Sequence, residues 1–133
     1  MAAVHKRAFI AAPIERVWAA LTVPAAIREW MFDDDIRVDL RPGGSYAFFD
    51  GETTGTFTRI EPPHRLSYSW RQSTWPREWG DSVVHWELEP DPEGTRIHLI
   101  HDGFPNPQER DAHDEGWDIY FLGPLQDWLE EQE

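Results

Sequence analysis

The sequence contains no cysteine, and Lys6 is the only lysine among its twelve basic residues. The first absence excludes a disulfide framework, a thiol nucleophile and a cysteine zinc site. The second leaves no lysine-rich tail for phosphate, and a net charge of −13 works by repulsion against nucleic acid and anionic lipid. No apolar run reaches membrane-spanning length, and the opening MAAVHKRAFIAAP has no apolar core of the signal-peptide kind. A cytoplasmic soluble protein with neither nucleic acid nor membrane as partner is the expectation. The glycines make no G-x-G-x-x-G or P-loop, there is no G-x-S-x-G, and the six histidines lie singly without H-E-x-x-H spacing. Asp33-Asp34-Asp35 lacks the alternating ligands of an EF-hand and reads as a solvated loop. Neither a metal nor a cofactor is implied.

What the chain has in excess is aromatic: eight Trp and seven Phe in 133 residues, a length that fits one domain, 1–133, with a single core. The stretch 108–129 reads as one long helix with an aromatic face. There His113, Trp117, Tyr120, Phe121, Leu125, Trp128 and Leu129 recur on or beside one helical face, while Glu115, Asp118 and Glu130 point away. Gly123-Pro124 interrupts this pattern. An interior proline costs a helix roughly 3 kcal/mol, so a kink is predicted there, or a second segment starting at Pro124.

The rest of the chain reads mostly as strands. Residues 4–11 form an extended run, and Pro13 suits the start of a helix carrying Ile14, Val17, Trp18 and Leu21. Pro24 opens a second short helix through Ile27, Trp30 and Met31. Residues 36–40 make a short strand ended by Pro42-Gly43-Gly44. Period-two alternation then marks Tyr46 and Phe48, a Thr-rich strand with Phe57, the set Leu66, Tyr68 and Trp70, the set Val84, Trp86 and Leu88, and the set Ile97, Leu99 and His101. Turn signals at Asp50-Gly51, at 61–64 and at 91–94 separate these runs. Residues 72–80, with Trp75 and Trp79, are expected to be a loop. An exposed edge strand in such a sheet can pair across a twofold axis, which makes a homodimer conceivable.

One strand, two short helices, a run of antiparallel strands and a long C-terminal helix make an α+β helix-grip arrangement, a curved sheet wrapped around the last helix. Local motifs fall in the same order. They include Ala12-Pro13 followed by Val17-Trp18-Ala19-Ala20-Leu21-Thr22, Ile27 to Trp30, Pro42-Gly43-Gly44 and Gly55. Then come Ile60-Glu61-Pro62-Pro63 with Arg65-Leu66, Tyr68-Ser69-Trp70, Gly94-Thr95-Arg96, His101-Asp102-Gly103-Phe104, and His113 with Gly116-Trp117. In these the chain resembles the START-like (SRPBCC) superfamily, and within it the branch of activator-of-heat-shock-protein-ATPase homologues. The resemblance covers almost the whole chain and implies the helix-grip fold. It leaves function open, because the superfamily includes lipid carriers, hormone-binding proteins, polyketide cyclases and aromatases.

A sheet gripping a helix leaves room between them. Rings from the sheet expected to face that space are Tyr46, Phe48, Phe57, Tyr68, Trp70 and Trp86. Trp117, Tyr120 and Phe121 would press on them from the helix, with Trp30, Met31 and Phe104 closing one end. The reading that follows is a binding module for a small hydrophobic or aromatic molecule, with Tyr46, Tyr68, His101 and Tyr120 orienting it. Each ring serves equally well as core filler. His101 and His113 are the pair to consider for catalysis, as general base of a cyclase or hydratase, although their preferred reading is as buried hydrogen-bonding partners. The family name adds a third reading, a chaperone-associated adaptor using the acidic surface.

Overall fold

The computed structural model describes residues 3–131. Seven antiparallel strands make one sheet in the order β1-β7-β6-β5-β4-β3-β2. Strand β1 (Val4–Ile10) is followed by helices α1 (Ile14–Thr22) and α2 (Pro24–Met31). The chain then meanders through β2 (Arg37–Val38), β3 (Ser45–Phe48), β4 (Thr53–Glu61), β5 (Arg65–Gln72), β6 (Ser82–Asp91) and β7 (Gly94–Asp102). Strand β7 returns beside β1, with Val4 opposite His101 and Ile10 opposite Thr95. The C-terminal rod consists of α3 (Pro107–Gly116), a π-helical segment (Trp117–Leu122) and α4 (Gly123–Glu131). None of the helices among the described residues is long and apolar enough to cross a membrane.

Alternation explains which side of the sheet meets the rod. Leu66, Tyr68 and Trp70 on β5, Val84, Trp86 and Leu88 on β6, and Ile97, Leu99 and His101 on β7 are all buried. Their pairing across strands, Tyr68 with Val84 and Trp86 with Leu99, makes one continuous inner face. On β4 the register shifts between Phe57 and Arg59, an irregularity that takes up Thr58. It moves Ile60, three residues after Phe57, onto the inner side opposite Leu66, where strict alternation would have turned it outward.

Two proline-led starts set the short helices. Pro13 stands at the N-cap of α1 and Pro24 occupies the first turn of α2, where a missing N–H leaves no bond unmade. The Trp30 indole N–H donates to the Ala20 carbonyl at 2.7 Å and ties α2 to α1. Helix α3 is capped by Asn106, whose side-chain oxygen accepts the Glu109 N–H at 2.9 Å. Lys6 on β1 holds the rod from outside, its Nζ lying 2.8 Å from both Asp114 and Asp118.

The rod continues through Gly123-Pro124 because its bonding changes just before them. Proline lacks an N–H, and its ring collides with the carbonyl four residues back in an α-helix. In the π segment the bonds run i to i+5, and the Gly123 N–H donates to the Asp118 carbonyl. The wider turn accommodates the ring, and Leu125 and Leu129 beyond it stay buried against the sheet.

The same change corrects one sequence expectation. With i to i+5 bonding, residues four and five apart share a face. Trp117, Phe121 and Leu122 therefore point inward, whereas Tyr120 is 64% exposed. Tyr120 does not press on the sheet.

Candidate functional site

The rings at the centre of the grip are packed against one another. Tyr46 lies 4.9 Å from Tyr68 and 4.8 Å from Phe48 between ring centroids, and Phe57 closes the group at 5.9 Å from Tyr68. Trp117 lies 5.9 Å from Trp86, 5.2 Å from Trp70 and 4.5 Å from Phe121. At the centre of the grip the room expected between sheet and rod is thus taken up by the protein's own side chains. Open space lies instead at one end, as a half-open cleft of about 380 Å³ between the β3–β4 turn, the end of β5 and the rod. Trp70, Trp117 and Phe121 line it together with Phe49 and Tyr120. Its polar lining comes from Glu52, Thr53, Gln72, Glu109 and His113.

Of the residues singled out from sequence, Trp70, Trp117, Tyr120, Phe121 and His113 meet at this cleft. Tyr120 does so from the exposed rim. Phe48, Phe57, Tyr68, Trp86, His101 and Phe104 are buried away from it, and Tyr46 packs among them. Trp30 lines a separate hollow of about 260 Å³ beside Phe32, Pro124 and Trp128. Phe49, Glu52, Thr53, Gln72, Glu109, Ala112 and Gly116 were not identified as site residues from sequence. Ala112 and Gly116 could have been found, since they precede Tyr120 on the rod at four-residue intervals. Phe49 could not, because it sits at φ 55° in a turn, a conformation that a large side chain rarely adopts.

Two of the polar groups expected to orient a ligand are committed within the protein. The Tyr46 hydroxyl donates to the Ser69 carbonyl at 2.6 Å, and the Tyr68 oxygen accepts the Trp86 indole N–H at 2.9 Å. Burial raises the pKa of both phenols.

The histidines are more tightly determined still. The Trp117 indole N–H, which can only donate, meets His101 Nδ1 at 3.0 Å, so that nitrogen carries no proton. His101 Nε2 then donates to Ser82 Oγ at 2.7 Å, and Ser82 passes its own hydrogen to the Trp70 carbonyl at 3.1 Å. In the same way the Trp70 indole donates to His113 Nε2 at 3.1 Å, while His113 Nδ1 donates to the Glu109 carbonyl at 2.7 Å. Burial first, and the neighbouring His113 second, lower the His101 pKa to about 2. Burial also lowers that of His113, against the opposing pull of Glu109. Both rings are neutral, and each lone pair accepts an indole N–H. A general base must present a free lone pair to its substrate, and neither ring does.

Fold and cleft together define a START-like helix-grip domain with an aromatic-walled opening at one end of the rod. The chain belongs to the family described as "Activator of Hsp90 ATPase homolog 1-like protein", which it matches over residues 11–130. It is 28% identical over 80 residues to the mouse "Activator of 90 kDa heat shock protein ATPase homolog 1", covering 60% of this chain and 23% of that protein. The chain thus spans about a fifth of the length of the curated relatives it matches. Among solved structures, CalU16 from Micromonospora echinospora is 31% identical, with a TM-score of 0.83 over 98% of this chain and 76% of that one. The Aha1 dimer from Colwellia psychrerythraea shares the fold at 22% identity, with a TM-score of 0.83 over 98% and 97% of the two chains.

Proposed function

We propose that the protein binds a small hydrophobic molecule with an aromatic body in the cleft at the end of the rod. The observation that carries this reading is a cleft of about 380 Å³ walled by Phe49 and the exposed ring of Tyr120, over a floor formed by the edges of the buried Trp70, Trp117 and Phe121. The indole nitrogens of Trp70 and Trp117 are tied to histidines and the two rings pack on each other and on Phe121, which gives the cleft a fixed floor. Apolar ligand area buried there gains roughly 25 cal/mol per Å², enough for a flat molecule of moderate size to be held without covalent chemistry. Native mass spectrometry of freshly purified protein tests the proposal. A co-purified small molecule is expected on the parent protein and absent from Ala112→Trp, which fills the cleft from an exposed helical position. A parent protein without added mass, whose tryptophan emission also ignores flavonoids, polyketides, sterols and fatty acids, would overturn it.

Family membership supports a second reading, a chaperone-associated adaptor that uses the acidic surface. It predicts association that weakens as salt is raised, and binding indifferent to ionic strength would count against it. The dimeric Colwellia neighbour lends support to a homodimer for this chain, which sedimentation analysis would decide.

A further inference from the structure

The cleft has aromatic walls, yet it holds no cationic side chain. Arginine and lysine are absent from its lining among the described residues, while Glu52 and Glu109 both contribute to it. His113, the one imidazole in that lining, is no anion receptor, because its Nδ1–H is given to the Glu109 carbonyl and its Nε2 accepts from Trp70. A carboxylated ligand such as a fatty acid would thus meet two carboxylates and find no positive partner.

The two carboxylates differ. Glu109 already accepts the Trp75 indole N–H at 2.8 Å. Glu52 is exposed beside the β3–β4 turn and has no ion-pair partner among the described residues. Aromatic faces attract cations through the negative potential above the ring, the exposed ring at this cleft is Tyr120, and a nearby carboxylate adds to that attraction. Gln72 offers an amide donor that would suit a neutral ligand as well, so charge has to be tested with matched probes.

We propose that the occupant is an arylalkylamine, a planar aromatic body carrying an alkylammonium group that is protonated at neutral pH. Its rings lie between Phe49 and Tyr120, over the edges of Trp70, Trp117 and Phe121, and its ammonium group sits at the mouth beside Glu52. This rests on the ligand-binding reading above and adds the chemical class of the ligand.

Isothermal titration calorimetry on the full chain, with three probes of equal shape, provides the test: 2-naphthylmethylamine, 2-naphthalenemethanol and 2-naphthoate. The amine is expected to bind at least about fivefold more tightly than the alcohol, and the carboxylate most weakly of the three. Glu52→Gln should bring the amine down to the affinity of the alcohol. Glu93→Gln, an equal charge change on the remote β6–β7 turn, should leave it unchanged, which separates a local contact from the general pull of an acidic protein. An alcohol that binds as tightly as the amine, or a Glu52→Gln variant without effect, overturns the charge assignment and leaves the cleft reading standing. Failure of all three probes to bind overturns both for ligands of this size.

Discussion

The Trp117 indole N–H donates to His101 Nδ1 at 3.0 Å, and this single bond decides where the histidine keeps its proton. Because the indole cannot accept, His101 is held as the Nε2–H form and passes its hydrogen toward Ser82. A residue type associated with catalysis serves here to join β6, β7 and the rod.

Removing that junction should be costly. His101→Ala leaves the Trp117 N–H without an acceptor in a fully buried place and opens a cavity beside it, a loss of about 3 kcal/mol. His113→Ala should cost about 1 kcal/mol, since the Trp70 N–H it abandons lies at an open cleft where water can accept it. Urea denaturation followed by tryptophan emission would compare them, and equal losses would contradict the difference in burial.

Acid should weaken the fold before most carboxylates titrate. Both histidines are neutral when folded, with pKa values below the ordinary 6.5, whereas the unfolded chain takes up protons there. Stability is therefore full above about pH 6.5 and declines as pH falls, at about 1.4 kcal/mol per pH unit for each proton taken up only on unfolding. For His101 the decline continues toward its folded value of about 2. Denaturation at pH 7, 6 and 5 should show this slope in the parent and a shallower one in His101→Gln. A parent stability that is level from pH 7 to 5 would refute it.

Gly55 on β4 occupies a place that no side chain can share. A Cβ there would run into the Ser69 carbonyl oxygen and come within 2.5 Å of the Tyr46 ring, which crosses the strand to donate to that same carbonyl. Gly55→Ala should cost about 3 kcal/mol, comparable to overpacking a core, and should weaken the β3–β4–β5 corner first. Hydrogen exchange resolved by strand would locate the loss, and uniform protection in the variant would speak against it.

Pro124→Ala asks whether the π segment has already relieved the proline. In a regular α-helix the replacement would gain roughly 3 kcal/mol. Here the wider turn accommodates the ring, so the gain expected in urea denaturation is below about 1 kcal/mol. A gain near the full helical value would mean that the ring is strained in place.

The strands and short helices were legible because each is encoded locally. Alternation at Leu66, Tyr68 and Trp70 and the prolines at positions 13 and 24 carry their own physical reasons. The interruption at Gly123-Pro124 was legible as well, but its resolution was not. Chemistry alone does not say whether a helix will kink, stop or widen, and widening was what turned Tyr120 outward. The cleft was harder still. Strand parity identifies which rings face inward, yet whether those rings meet depends on how far sheet and rod approach, a long-range quantity. Phe49 escaped for the opposite reason, since its left-handed backbone contradicts its local propensity and is supported by contacts with Phe48 and Phe121.

Lys6 spans Asp114 and Asp118, and the sequence has no second lysine. Any acyl or other blocking group placed on that one side-chain amine would remove a positive charge from between two negative ones, at the boundary where α3 gives way to the wider turn. Among side chains, amine-directed chemistry thus has a single target, and that target is a clasp between the first strand and the last rod.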